Sequence, residues 1–252
     1  MRARRALIVR GGGEGHRPVE ATDLFVPFLA ESGFEVRISE SSEIYADQAE
    51  MERTDLIVQC VTASEISPEA LAGLRGAVAR GTGLAGWHGG IVDSYPGSAG
   101  YRQLIGARAV AHPARRVDGR RGDAHDDVLC YTVDIADRGR SHEIMTGLED
   151  FTLRTEQYWV LADDGNDVLA TTTYPALPSR PWQWTATAPA VWTRRWGRGR
   201  VFVATPGHSL RVLRDVSVRT IIERGMLWAS RPMTEEPADP ILREARGIIL
   251  AM

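Results

Sequence analysis

The stretch at residues 83–94, which reads G-L-A-G-W-H-G-G-I-V-D-S, decides the fold. A short apolar run ends at Trp87-His88, two glycines follow, and Asp93-Ser94 can begin a helix. A strand that stops in a tight turn permitted by glycine lifts one side chain onto the rim of a sheet. The pattern predicts that this side chain is His88, or Trp87 if the register shifts by one residue.

Three more strand patterns precede this turn, each followed by a helical or loop pattern. Pro18 begins one helical stretch, and Ser67-Pro68-Glu69 begins another with an N-cap, a proline and an early acid. The resulting βαβαβαβ order is typical of a mostly parallel sheet with helices on both faces. The predicted strands cover residues 6–9, 34–38, 54–61 and 82–86, and the helical or loop segments cover residues 18–31, 41–53 and 67–80.

The order of predicted elements changes after residue 128, where strand patterns follow one another without a long helix between them. This indicates that the sheet continues through antiparallel strands. The predicted elements are a short helix at 101–105, strands at 107–111, 128–135, 151–155, 168–173, 190–196 and 200–205, and a last helix at 215–229.

The chain shows no internal repeat and no linker that would divide it, so residues 1–252 are interpreted as one domain. The core is expected at about residues 6–230. The proline-containing tail, 231–252, is expected to wrap the surface or to contact a second subunit of a homo-oligomer. Residues 114–127 lack periodicity and are interpreted as a surface loop, with a lid over the site as the alternative.

Composition excludes several classes of function. The formal net charge is −3, so no global basic field favours nucleic acid. All thirty basic residues are arginines, which we interpret as coding bias. No apolar segment is long enough for a signal peptide or a membrane span. The two cysteines, Cys60 and Cys130, are expected to be buried free thiols, which fits a reducing cytoplasm.

Four of the six histidines follow a predicted strand directly. In an open parallel sheet, ligands bind beyond the carboxyl ends of the strands. A single histidine there is more often structural, but four at one rim indicate a common pocket. The four are His16, His88, His112 and His208, whereas His125 and His142 fall in predicted loops and are interpreted as surface residues.

A carboxylate and several aromatic residues extend this candidate site. Glu156 ends a predicted strand in T-E-Q-Y-W, where nearby aromatic rings are expected to desolvate it, raise its pKa and suit it to acid–base work. A salt bridge on the rim is the structural alternative. The aromatic loop at 178–189 is a candidate cover over the site. The candidates to stack on a sugar ring are Trp87, Tyr158, Trp159, Trp182 and Trp184. Core packing is the alternative for any tryptophan.

A divalent metal is possible but not required. Three histidines and a carboxylate can hold zinc or a similar ion. The chain has no close H-x-H or H-x-x-x-H pair that would form a local half-site. The glycines of G-G-G-E-G-H at 11–16 fit neither the P-loop nor the dinucleotide fingerprint, which argues against a nucleotide cofactor.

The chain resembles the ThuA-like family, named for trehalose utilisation, from about residue 6 to residue 230. The likeness rests on the stretch at 83–94, A-H-P at 111–113, S-H-E-I-M-T-G-L-E-D-F at 141–151, T-E-Q-Y-W at 155–159, A-V-W-T at 190–193 and P-G-H-S at 206–209. It implies a flavodoxin-like fold of the class I glutamine amidotransferase type. The family's polar motif positions match His88, Asp93, His112, Glu156 and His208.

The resemblance implies a role in sugar catabolism, with disaccharides oxidised to 3-keto sugars as the suggested substrates. Amidotransferases of this fold carry a nucleophilic cysteine at the turn where Trp87-His88 stands here, so thiolate chemistry on glutamine is excluded. We expect a cytoplasmic enzyme acting on a small-molecule carbohydrate by proton transfer. His88 and Glu156 would be the acid–base pair and His208 an electrophile or second base.

Binding roles complete the expected site. His16 and His112 would hold hydroxyls or a metal, and Trp87, Asp93 and Tyr158 would contact the substrate. Two alternatives remain open. One is a carbohydrate-binding or regulatory protein without catalysis, and the other is a metal-dependent hydrolase of another small molecule.

Overall fold

A computed structural model describes residues 3–112, 128–176 and 182–232. The predicted loop at 114–127, part of the aromatic loop at 178–189 and the tail beyond residue 232 lie outside the described residues.

Eleven strands and nine α-helices are present in the described part of the chain. The strands are β1 (Arg4–Gly12), β2 (Phe34–Ser39), β3 (Leu56–Thr62), β4 (Gly83–Trp87), β5 (Ala107–Ala111), β6 (Val128–Ile135), β7 (Phe151–Glu156), β8 (Trp159–Ala162), β9 (Asp167–Tyr174), β10 (Ala186–Trp196) and β11 (Gly199–Ala204). The helices are α1 (Pro18–Asp23), α2 (Val26–Glu31), α3 (Gln48–Arg53), α4 (Pro68–Ala79), α5 (Gly89–Val92), α6 (Ala99–Ile105), α7 (Asp137–Arg140), α8 (Leu210–Leu213) and α9 (Val216–Ala229).

The main sheet has nine strands in the order β2-β1-β3-β4-β11-β10-β9-β6-β7. The first five in this order are parallel, and the remaining pairings are antiparallel. The predicted α/β fold, a mostly parallel sheet with antiparallel extensions, is thereby confirmed. Because the parallel strands share one direction, the ends of β1, β4 and β11 lie on the same rim.

Both faces of the central parallel strands β3 and β4 are buried, as is usual where helices pack on both faces of a parallel sheet. One face of β4 contributes Ala85 and Trp87 to a core shared with α1, α2 and α9. The other face contributes Leu84 to a core shared with α4 and α6. The helices therefore lie on both faces, and the polar side chains of the site are confined to the rim between them.

Several elements differ from the sequence-based predictions. The expected helix at 18–31 is two helices, α1 and α2, because Pro27 lies at the start of α2 and cannot donate to the preceding turn. Strand β8 was not predicted, and it pairs with β5 in a separate two-stranded sheet. Cys60 is buried as expected, whereas Cys130 is exposed, since it lies on the outward side of an antiparallel strand. No helix among the described residues is long and apolar enough to cross a membrane.

Candidate functional site

His88 lies at the sharp turn between β4 and α5. Its backbone has a φ of 51° and a ψ of −150°, a combination that residues other than glycine rarely adopt. The amide of His88 donates to the Ala204 carbonyl at 2.7 Å, and the ring Nδ1 donates to the Thr205 carbonyl at 3.0 Å. A carbonyl only accepts, so Nδ1 carries the hydrogen. In the neutral ring, Nε2 is then the free acceptor.

His208 follows β11, the neighbour of β4 in the sheet. The register places Ala204 beside Trp87, so the residues that follow each strand come together at the rim. His208 Nδ1 lies 3.3 Å from His88 Nε2. The His208 side chain is 26% exposed and that of His88 is 3% exposed, so His208 is the one that faces solvent.

His16 reaches the same place from the glycine-rich turn after β1. Gly12 has a φ of 81°, and a Cβ there would lie 1.9 Å from the Thr62 carbonyl oxygen, so this close approach requires glycine. The His16 ring lies edge-on to both other rings, with centroids 5.0 Å from His88 and 5.5 Å from His208. The glycines thus bring a third imidazole to the rim.

Glu156 ends β7, at the far edge of the main sheet. Strand β7 is five places from β4 in the sheet order, which is roughly 24 Å in a flat sheet. Yet Glu156 Oε2 lies 3.2 Å from His88 Nε2 and 3.2 Å from His208 Nδ1. The antiparallel half of the sheet therefore curls back over the parallel half and closes the site.

The environment separates the ionisation states of these groups. Burial lowers the pKa of His88, although Glu156 acts to raise it. Burial and the neighbouring imidazoles lower the pKa of His16 to about 4. Burial alone would raise the pKa of Glu156, but its contacts with His208 and His88 outweigh burial and hold that pKa below the usual carboxyl value. The expectation of a raised pKa for Glu156 is therefore wrong.

His112, Tyr158 and Asp93 form an outer layer. His112 comes from the end of β5, in the second sheet, and its Nδ1 donates to the Gln157 carbonyl at 3.3 Å and lies 3.9 Å from Glu156 Oε2. The Tyr158 ring packs between His88 and His112, with centroids 4.8 and 4.3 Å away. Asp93 is half-buried. Burial raises its pKa, and His112 opposes the rise.

Trp87 does not reach the rim, which corrects the expectation that it contacts substrate. The side chain points to the α1/α2 face, where its ring packs 4.8 Å from Phe25, and the residue is 2% exposed. Strand alternation is the reason, since Trp87 is still in β4 and lies on the same face as Ala85. The turn begins one residue later and lifts His88 instead.

A groove of about 340 Å³ lies beside this site, on the antiparallel half of the sheet. Its walls include Tyr131, Gln157, Tyr174 and Trp182. The Tyr131 hydroxyl donates to the Glu156 carbonyl at 3.2 Å, which joins the groove wall to the backbone of the site. Trp182 is thus in the groove wall rather than among the histidines, and Trp184, at 63% exposure, is largely solvated.

Within the described ranges, His16, His88, Glu156 and His208 each offer one ligand atom, and these atoms lie within 4.8 Å of one another. Four side chains far apart in sequence therefore share one small volume. Sequence reasoning missed Thr205, whose carbonyl fixes the His88 tautomer. The available signal was the T-P-G-H segment after β11, because its register sets residue 205 beside His88.

The outlying histidine that the structure describes behaves differently. His142 is partly buried, accepts from the Ile144 amide at 3.2 Å through Nδ1, and packs against Trp228. It is a structural residue of the α7 region and not the surface residue expected. His125 lies outside the described residues.

Comparison with known proteins points to one family. A family model described as ThuA, trehalose utilisation, matches residues 5–229. A ThuA-like protein from Parabacteroides merdae has a TM-score of 0.66 at 16% identity, with 94% of each chain covered. A second, from Bacteroides uniformis, has a TM-score of 0.67 at 14% identity, with 89% of each chain covered. A cytoplasmic protein from Salmonella typhimurium LT2 has a TM-score of 0.60 at 14% identity, with 90% of this chain and all of that chain covered. A search of curated proteins found no match.

Proposed function

The chain belongs to the ThuA family, described as trehalose utilisation, and from that premise we propose that it is an enzyme of carbohydrate catabolism. The substrate is a keto-sugar or a disaccharide derivative with a keto group, of the 3-keto-trehalose kind. The reaction is proton transfer at the carbon beside the carbonyl. That step is common to isomerisation, to elimination and to cleavage of a glycosidic bond by elimination.

One observation carries the proposal: Glu156 Oε2 lies 3.2 Å from both His88 Nε2 and His208 Nδ1. A carboxylate held against two imidazoles can orient a base and stabilise the charge that it gains on taking a proton. His208 is the more exposed imidazole, so we assign it the contact with substrate. The Thr205 carbonyl fixes the orientation of the His88 ring, whose Nε2 contacts Glu156.

The layer around this centre fits a polyhydroxylated substrate. His112, Tyr158 and Asp93 offer a ring nitrogen, a hydroxyl and a carboxylate within one wall, and Asp93 and His112 interact electrostatically. Donors and acceptors of this kind position sugar hydroxyls, while a buried aromatic wall excludes water. The groove bounded by Tyr174 and Trp182 provides space for a second ring beyond the reacting one.

The test is turnover of 3-keto-trehalose and of simple 3-keto-glucosides, followed by NMR or chromatography. Wild-type protein should convert at least one of them. Glu156→Gln and His208→Ala should each lower kcat at least about 100-fold, the scale of a lost acid–base group. His142→Ala, outside the centre, should retain wild-type turnover.

Two results would count against this function. If no keto-sugar is converted while the sugars still raise the melting temperature, the protein binds carbohydrate without catalysis. If Glu156→Gln and His208→Ala both turn over at the wild-type rate, the chemistry lies elsewhere.

A further inference from the structure

The contact between His88 and Glu156 requires a positive charge between them. His88 Nδ1 donates to the Thr205 carbonyl, so in the neutral ring Nε2 presents a lone pair. That lone pair faces Glu156 Oε2, another acceptor, at 3.2 Å. Two acceptor atoms at this distance repel one another unless a proton or a metal ion separates them.

His208 turns this pair into a triangle whose dimensions suit a metal ion. The three sides are 3.2 Å from His88 Nε2 to Glu156 Oε2, 3.2 Å from Glu156 Oε2 to His208 Nδ1, and 3.3 Å from His208 Nδ1 to His88 Nε2. In a tetrahedral zinc site with bonds of about 2.0–2.1 Å, neighbouring ligand atoms are about 3.3–3.4 Å apart. One proton can join only two of the three atoms, whereas one cation can bind all three.

We infer that His88, Glu156 and His208 bind one divalent transition-metal ion, with His16 as the fourth and most weakly held ligand. The ligand atom of His16 lies within 4.8 Å of the others, so His16 can complete the set. A set of three imidazoles and one carboxylate suits Zn²⁺ or Co²⁺, while Mg²⁺ and Ca²⁺ prefer oxygen ligands.

The surroundings of the cluster agree with this assignment. Metal-binding histidines usually donate their second ring nitrogen to a carbonyl or carboxylate, which fixes the tautomer, and the Thr205 carbonyl does this for His88. The cluster is also partly dry, since the side chains of His88 and Glu156 are 3% and 12% exposed. Water therefore competes weakly for the ligand atoms.

The use of this ion in turnover rests on the proposed function, although its binding does not. A bound cation polarises a carbonyl oxygen and so acidifies the neighbouring carbon, which is the step proposed above. With the ion bound, His208 would be a ligand together with His88 and Glu156, in place of the direct acid–base contact with substrate assigned above for the metal-free site. His112, outside the ligand set, would be left to exchange the proton.

Binding is tested on tag-free protein without sugar. After stripping with a chelator, calorimetric titration with Zn²⁺ should show one site per chain, and Co²⁺ should produce the visible absorption of a four-coordinate ion. His208→Ala and Glu156→Gln should weaken Zn²⁺ binding more than about 100-fold, beyond the 10–100-fold of an outer-shell change. His16→Ala should bind more weakly but still saturate, and His142→Ala should bind as wild type.

The inference is overturned if wild-type protein binds neither ion at one equivalent, or if His208→Ala and Glu156→Gln bind as tightly as wild type. Should those variants fail to fold, the wild-type titration and the Co²⁺ spectrum decide the question by themselves. Turnover by metal-free protein would contradict a role of the ion in the reaction, and the proposed function would still hold. Stoichiometric metal binding without turnover of any keto-sugar would support the metal site and contradict the proposed function.

Discussion

The backbone of His88 carries strain that only its surroundings can hold in place. A non-glycine residue with a φ of 51° and a ψ of −150° costs about 1–3 kcal/mol relative to an ordinary conformation. Two backbone carbonyls, those of Ala204 and Thr205, accept hydrogen bonds from this one residue. The strain positions the imidazole under Glu156, as turns of this kind do for catalytic side chains.

A glycine at position 88 should therefore be more stable than an alanine. Both variants lose the imidazole, but only glycine adopts this conformation freely, so His88→Gly should exceed His88→Ala by about 1 kcal/mol in the free energy of unfolding. Urea denaturation measures the difference. The control is Ala85→Gly in β4, which should lose stability as glycine in a strand normally does. An alanine variant more stable than the glycine variant would show that position 88 is not strained.

Individual residues also show what the sequence could and could not indicate. That His16, His88 and His208 meet at one rim was predictable, because each follows the end of a parallel strand. His112 reaches the same site from β5, in the second sheet, which the order of strands along the chain did not indicate. Their roles remain predictions. The direction of Trp87 depended on which residue ends β4, and a one-residue change moves a side chain to the other face. The lowered pKa of Glu156 was not predictable, because it arises from histidines 52 and 68 residues away in sequence.

At the scale of elements, the two glycines that begin α5 have different neighbours: Gly89 lies against the site and Gly90 against strand β3. A Cβ on Gly89 would lie 3.0 Å from the Tyr158 hydroxyl and 3.3 Å from His16 Cε1. A Cβ on Gly90 would lie 2.9 Å from Cys60 Cα and 3.2 Å from its sulfur. Gly89 therefore faces side chains of the site, and Gly90 faces the backbone of β3.

The same substitution at these two positions should give opposite results. Gly89→Ala should displace Tyr158 or His16 and lower turnover and metal affinity, with a small change in stability. Gly90→Ala should destabilise the fold by about 1–3 kcal/mol, because backbone cannot move aside as a side chain can. Urea denaturation and zinc titration of both variants provide the comparison. Equal losses of stability would contradict the distinction.

Elements were predictable where the pattern was long and local. The parallel strands and α4 carry their signals within the segment, in apolar runs and in the cap at Ser67. Strand β8 has four residues and is defined by its partner β5, so its signal is not local. The division between α1 and α2 was visible in the sequence, because Pro27 would lie in the interior of a helix over 18–31, where proline removes a backbone hydrogen bond.

At the scale of the whole molecule, contacts at residues 230 and 231 join the end of the described chain to the starts of β3 and β4, at the end of the sheet opposite the site. Arg4 donates to the Ser230 hydroxyl. The Arg231 amide donates to the Asp55 carbonyl at 2.9 Å, and its guanidinium donates to the Thr82 hydroxyl at 2.9 Å. These hydrogen bonds fasten the end of α9 under β3 and β4.

Two truncations should separate these contacts from the remaining tail. A chain ending at residue 232 keeps these contacts and is the reference for the shorter chain. A chain ending at residue 229 loses these hydrogen bonds and the buried Ser230, and we expect it to be less stable by about 1–3 kcal/mol. Urea denaturation of both chains measures this. A large loss on removing only 233–252 would instead give the tail a structural role. That the protein is a homo-oligomer stays a prediction from the sequence.

The curl of the sheet was beyond sequence reasoning for a physical reason. Alternation and strand length fix each strand and its faces, but the curvature of nine strands comes from accumulated twist and from irregularities such as the register shifts between β9 and β10. That curvature alone brings Glu156 from the last strand to the histidines of the first ones.

This curl also governs when the site can exist during synthesis. Its members span residues 16 to 208, and His208 meets His88 across 120 positions of sequence. When β1 to β4 have emerged from the ribosome, the nascent chain contains His16 and His88 but not yet Glu156. The centre can assemble only once β11 and His208 have emerged, so the four side chains come together only when nearly all of the fold is in place.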